Sequence, residues 1–261
     1  NDRTMRRLID VVSFGLPSTP PGHYRQVLKG VVPGISAQDK VILWGGGIWE
    51  WFDPLTLIRA MSRIAAQRDD VKLVFMGKQH FDKVTVPETP IAGKAIALSK
   101  ELGLLDRQVF FNEWTAYEER QNFLMEADIG VSLHLPTVET RFAFRTRMMD
   151  YIWAGLPIVA TEGDFMGEVV QRDGLGKIVP CQNEEALAAA LIEMLEVPNL
   201  REAYRPSFER VAAEYTWEKV TEPLVAWLKN PQRAADKVAA GASMVHVAAA
   251  VVPTPWWRLP I

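Results

Sequence analysis

A single cysteine, Cys181, is the only thiol in the 261 residues, so no disulfide can close within the chain and a reducing cytoplasm fits. No basic run occurs and the formal net charge is −3, which argues against nucleic acid as the main partner. No apolar run reaches membrane-spanning length; the Ala/Val-rich stretch Ala242 to Val252 is too short. The four histidines are scattered and no acids stand at ligand spacing, so no metal site is expected. A GxGxxG fingerprint with its downstream acid is missing, which argues against a dinucleotide-dependent oxidoreductase. No internal repeat and no signal peptide stand out, although the chain opens at Asn1 without a methionine.

What is present is alternation. Apolar runs of strand type lie at Leu8–Phe14, Val41–Trp44, Val71–Met76, Gln108–Phe111, Ala127–Leu133, Ile158–Ala160 and Lys177–Pro180. Helical patterns separate most of them. Asp53 before Pro54 is a strong helix start, with Asp as N-cap and Pro at the first position. Gly103 closes a helix over Ala92–Leu102, Thr115 with Glu118 spells a capping box, and Asp164 and Asn183 cap two more helices. A last helix runs from Thr216 to Leu228, with a kink expected at Pro223. Strands alternating with helices predict an α/β fold: a doubly wound, mostly parallel sheet flanked by helices, Rossmann-like.

The segment from Glu139 to Asp164 concentrates the chemistry. A strand ends at Leu133, Pro136 bars its continuation, and a polar loop leads to a helix beginning near Phe144 or Arg145. Met148, Met149, Ile152 and Trp153 form the apolar face, and Gly155 with Pro157 ends the helix before Ile158. In an open α/β sheet the loops beyond the strand C-termini hold the ligand, and a helix N-terminus there attracts anions. Arg145 and Arg147 fall in that first turn, where the helix dipole alone would favour acids. Two guanidinium groups in an electropositive place point to an arriving anion, and arginine suits phosphate through its bidentate fork. The competing reading keeps Arg147 in a surface pair with Asp150 at i,i+3 and leaves Arg145 solvated.

Gly45-Gly46-Gly47 follows the Val41–Trp44 strand on the same side. Three glycines admit close backbone approach to a diphosphate or sugar, or else form a plain tight turn. Trp49 and Trp51 read as packing or as a sugar platform. Lys78 stands in the next ligand-side loop, within reach of an anion or simply solvated.

The run Asp150-Tyr-Ile-Trp-Ala-Gly-Leu-Pro-Ile-Val-Ala-Thr resembles the E-A-M-A-x-G-x-P-V-V-A-T segment of GT-B glycosyltransferases of the retaining, sucrose-synthase-like family (group 1, family 4 type). The resemblance covers about residues 40 to 229 and implies the C-terminal, donor-binding domain of such an enzyme. It implies that Asp150 holds the ribose hydroxyls of a nucleotide-diphosphate sugar. The family's other acid falls eight residues earlier, at Phe142; Glu139 is the nearest substitute and would orient the sugar hydroxyls. The usual Arg and Lys-Gly of the glycine loop are replaced by Trp51-Phe52-Asp53, and F-R-T-R-x-x-D-Y marks a divergent subfamily in which Arg145 or Arg147 restores the charge. The resemblance further implies that Trp114 flanks the nucleobase and that Gly163-Asp164 form the turn facing the donor.

The domains expected are a linker from a missing N-terminal acceptor-binding domain at 1–38, a nucleotide-sugar domain at 39–229 and a tail at 230–261. The tail would pack on the missing domain, pack on its own domain, or touch a membrane interface through its Trp and Arg residues at the inner face. The function expected is sugar transfer from a nucleotide-diphosphate sugar to an acceptor hydroxyl, as in polysaccharide biosynthesis. Arg145, Arg147 and Glu139 carry the catalysis, and no metal or other cofactor is required. A donor half alone would bind donor weakly and transfer nothing. The rival reading is a catalytically degenerate nucleotide- or partner-binding module, favoured by the broken acid spacing.

Overall fold

In the computed structural model, which describes residues 9–77 and 89–231, the apolar runs become six short strands. They are β1 (Lys40–Trp44), β2 (Val71–Phe75), β3 (Val109–Phe111), β4 (Ile129–Ser132), β5 (Ile158–Thr161) and β6 (Gly176–Val179). All neighbours pair in parallel in the order β3-β2-β1-β4-β5-β6. Parallel strands are covered on both faces, which is why β2 is buried throughout and reads as a continuous apolar run.

Two cores follow from the pleat. Ile42 and Trp44 point to one face and Val41 and Leu43 to the other. On the first face lie α1 (Pro54–Ala65), α2 (Pro90–Glu101) and α7 (Glu184–Leu195). On the second lie α3 (Arg120–Glu126), α5 (Thr146–Trp153), α6 (Phe165–Asp173) and α8 (Leu200–Glu214). Between α3 and α5 comes a five-residue helix, α4 (Val138–Phe142), within the stretch expected to be a polar loop. The N-caps expected at Asp53, Asp164 and Asn183 all accept a backbone N–H of the first turn.

Residues 13–220 form one unit. Asn122, Gln121 and above all Glu126 of α3 fasten its N-terminal segment. Glu126 accepts the backbone N–H groups of Val27 at 2.7 Å, Leu28 at 2.9 Å and Lys29 at 2.8 Å, and meets His23 Nε2 at 3.0 Å. A second unit contains α10 (Glu222–Lys229), whose Trp227 and Leu228 are exposed.

Four local expectations need correction. Residues 9–14 form no strand; Leu16 makes a single bridge to Thr216 instead. Thr115 does not cap a helix, because its hydroxyl is taken by Met76 O and the Asn112 amide, and a 3-10 turn starts at Tyr117. α8 went unread, its Pro206 and sparse apolar positions hiding a fifteen-residue helix. The expected last helix is two, α9 (Trp217–Val220) and α10, with Pro223 in the first turn of α10 rather than at a kink. Lys78 and residues 232–261 of the expected tail lie outside the described residues.

Candidate functional site

The strand order reverses between β1 and β4, so the loops leaving their C-terminal ends part and leave a crevice. It measures about 420 Å³. The β1 loop supplies Gly45, Gly46, Gly47, Trp51 and Phe52; α4 and the start of α5 supply Glu139, Arg145, Arg147 and Asp150. Residues as far apart in sequence as Gly45 and Asp150 thus share one wall.

Arg147 is the anomaly of the cleft. Its guanidinium carbon lies 4.0 Å from the Phe52 ring centroid and 4.7 Å from that of Trp44, a cation held on two aromatic faces. Nη2 donates to Gly47 O at 2.9 Å. Nη1 is buried and has no hydrogen-bond partner. Burial pulls the group down to about 10; Tyr151 opposes that shift and the like charge of Arg145 adds to it. The i,i+3 pair with Asp150 does not form, since Asp150 accepts from Arg120 Nε at 3.0 Å.

Arg145 is the opposite case. It is 5 % exposed, and its donors are largely taken up by acids. Nη1 and Nη2 fork onto Glu139 at 3.2 and 3.0 Å, and Nε donates to Asp164 Oδ2 at 3.3 Å. Asp164 is anchored independently, because Oδ1 caps α6 through Gly167 N at 2.6 Å. The fully buried His134 brings Nε2 to 3.2 Å from Asp164 Oδ2, but at an angle that makes no hydrogen bond. Arg145 itself precedes α5 without a side-chain cap, so the N–H groups of that helix face the cleft unclaimed by a capping side chain.

The glycine loop is set by Tyr151, a residue the sequence reading passed over as one letter of a motif. Its hydroxyl accepts Gly45 N–H at 2.7 Å and shares its proton between Val131 O at 2.9 Å and Leu43 O at 3.2 Å. Burial raises the phenol to about 12, so it stays protonated. A Cβ on Gly45 or Gly130 would stand 2.9 or 2.8 Å from the Tyr151 ring. Gly45 is therefore glycine for the tyrosine's sake, whereas Gly46, at φ +102°, is glycine for the turn itself. Asp150 is held above its ordinary range by burial, against the pull of Arg120.

The sequence candidates thus divide. Gly45, Gly46, Gly47, Glu139, Arg145, Arg147 and Asp150 line one cleft. Asp164 reaches it only through Arg145. Gly163, at φ +107°, shapes the turn before α6, and Trp114 is half-exposed beyond β3; neither lines the cleft wall. Trp49 and Trp51 stack at 5.7 Å and both do line it. Among the described residues no group of His, Cys, Asp and Glu could hold a metal ion, and no helix is long and apolar enough to cross a membrane.

The sequence profile of the family described as Glycosyl transferases group 1 matches residues 39–197. Phosphatidyl-myo-inositol mannosyltransferase of Mycolicibacterium smegmatis is 23% identical over 182 residues, 70% of this chain and 42% of that protein. The protein of the same name from Mycobacterium leprae is 29% identical over 106 residues, 41% of this chain and 26% of that protein. The chain spans less than half the length of these curated relatives. Sucrose-phosphate synthase of Thermosynechococcus elongatus superposes with a TM-score of 0.60 at 18% identity, over 91% of this chain and 56% of that one. Anabaena Alr3699/HepE, solved in complex with UDP, gives 0.60 at 16% identity over 74% and 49%. At such identities the solved structures speak for the fold, a Rossmann-like domain of GT-B type. The profile runs from the residue before β1 to just beyond α7 and takes in the whole cleft, so this chain belongs to the glycosyl transferases of group 1.

Proposed function

We propose that the chain is the donor-binding half of an enzyme that moves a sugar from a nucleoside-diphosphate sugar to an acceptor hydroxyl. The observation that carries this reading is Arg147: a buried cation with an unpartnered N–H, on the wall of the switch-point cleft, beside Gly47. A buried donor left unsatisfied is costly, and a phosphate oxygen is the partner its charge calls for.

The chemistry follows from where charge develops. As the bond between the sugar and the diphosphate breaks, negative charge grows on the leaving phosphate oxygens. Arg147, the Thr146 and Arg147 N–H groups at the start of α5 and the Gly46-Gly47 backbone are fixed in advance to receive it. With that charge supplied by the protein, no metal is required. Asp150 accepts from Arg120 through Oδ1 and offers Oδ2 to the ribose hydroxyls. Glu139, at the mouth of the cleft, faces the sugar. Trp114 flanks the base from the β3 loop. Retention of configuration and the F-R-T-R-x-x-D-Y subfamily belong to the same reading. So do the donor domain at 39–229, a preceding acceptor-binding domain joined through residues 1–38, and a cytoplasmic enzyme with peripheral contact at the inner face of the membrane. The relatives, a phosphatidyl-myo-inositol mannosyltransferase and a protein solved with UDP, support this choice of substrate class.

Calorimetric titration with UDP, GDP, dTDP and ADP tests it. One of them binds the wild type, and Arg147→Met weakens that binding by about thirtyfold, the loss of one charge-assisted hydrogen bond. Binding that is indifferent to Arg147→Met sinks the reading.

A further inference from the structure

Three guanidinium groups and three carboxylates meet around the cleft: Arg120, Arg145 and Arg147 against Glu139, Asp150 and Asp164. Their formal charges cancel, so the empty cleft offers a diphosphate little net attraction. A second phosphate position opens only where a carboxylate can withdraw. Asp164 cannot, because its side chain is wholly buried, caps α6 and contacts Arg145. Asp150 faces Arg120, whose guanidinium is itself held over Tyr117 and Trp153 and bonded to Tyr117 O. Glu139 is different. Its side chain is 51 % exposed, both carboxylate oxygens accept from Arg145, and α4, on which it sits, is anchored by Thr137 and Thr140. Moving Glu139 outward therefore breaks the Arg145 fork and leaves the helix cap in place.

We infer that Glu139 is a built-in stand-in for an anionic group of the ligand: its carboxylate fills the Arg145 fork in the empty site, and the second phosphate of the diphosphate displaces it. Carboxylate and phosphate present the same pair of oxygens to a guanidinium fork, so one can replace the other. The exchange couples two events. Arg145 gains the phosphate at the moment Glu139 is released beside the sugar, so the sugar-facing acid is free only when the diphosphate is seated. Arg147, with no acid of its own, receives the first phosphate without such an exchange.

This inference rests on the donor reading, and inorganic pyrophosphate separates the two because it carries no base or sugar. Calorimetry is done on the wild type, Glu139→Gln, and Glu139→Gln in Arg145→Gln and Arg145→Lys backgrounds, with thermal melts confirming that each folds. Glu139→Gln binds pyrophosphate about tenfold more tightly than wild type, the size of one charge-assisted contact regained. In either Arg145 background the gain disappears. Binding by Glu139→Gln that is equal to or weaker than wild type overturns the displacement, as does a gain that survives loss of the Arg145 fork. No binding by either protein, or binding indifferent to Arg147→Met, overturns the donor reading together with it.

Discussion

Glu126 and Arg147 are both charged groups drawn out of water, and the protein treats them differently. Three backbone N–H groups and His23 converge on Glu126, which holds the segment before β1 against α3. Burial alone would raise its pKa, yet those donors more than offset burial and hold the group below its ordinary range. Arg147 has two aromatic faces and one carbonyl, and a buried N–H left over. A polar group satisfied on every side is part of the architecture. A buried charge that the architecture leaves incomplete on a cleft wall is the group that calls for an explanation.

The largest effect that sharpens this contrast is Glu126→Gln. An amide cannot accept from all the donors that now converge there, and about 3 kcal/mol of stability is lost in a denaturant titration, while diphosphate affinity stays within about twofold. Tyr151 belongs on Glu126's side, since its hydroxyl both donates and accepts. Gly130→Ala pushes a methyl into the Tyr151 ring and costs about 2 kcal/mol by the same measurement. Arg147→Met goes the other way. A base whose folded pKa is lowered to about 10 destabilises the fold at every pH where it is charged, so removing the charge raises stability at neutral pH by about 1 kcal/mol. A loss of stability in that variant breaks the comparison. The smallest effect is in acid. The folded pKa of Glu126 lies below its ordinary 4.5, so its contribution is complete above 4.5 and fades as pH falls through the folded value. Thermal melts of Glu126→Gln therefore lose stability less steeply than wild type below about pH 4.5.

Much of the scaffold was legible because its signals are local. Asp53-Pro54, Gly103 and Asp164 act within one helical turn, and the apolar runs of β1 and β2 need no partner to be seen. The cleft was legible by place, since a glycine loop and an arginine pair both follow strand ends. Its chemistry was not. Which arginine is neutralised depends on Asp164, nineteen residues from Arg145, and which glycine is structural depends on Tyr151, 106 residues from Gly45. Residues 9–14 mislead because an apolar run by itself does not say whether a strand partner exists, and α8 escapes because Pro206 masks its period.

The central strand has a consequence for the order in which the chain assembles. Val41 and its partner Asp128 across the β1–β4 seam are 87 residues apart, while β1 pairs with β2 far sooner along the chain. A chain emerging from the ribosome can complete the β1-β2-β3 half with one edge of β1 still bare. That bare edge, apolar on both faces, is an adhesive surface on the nascent protein. The cleft lies along the same seam. It cannot form before β4 and α5 have docked, and a truncated or misfolded chain that never docks β4 lacks the cleft altogether.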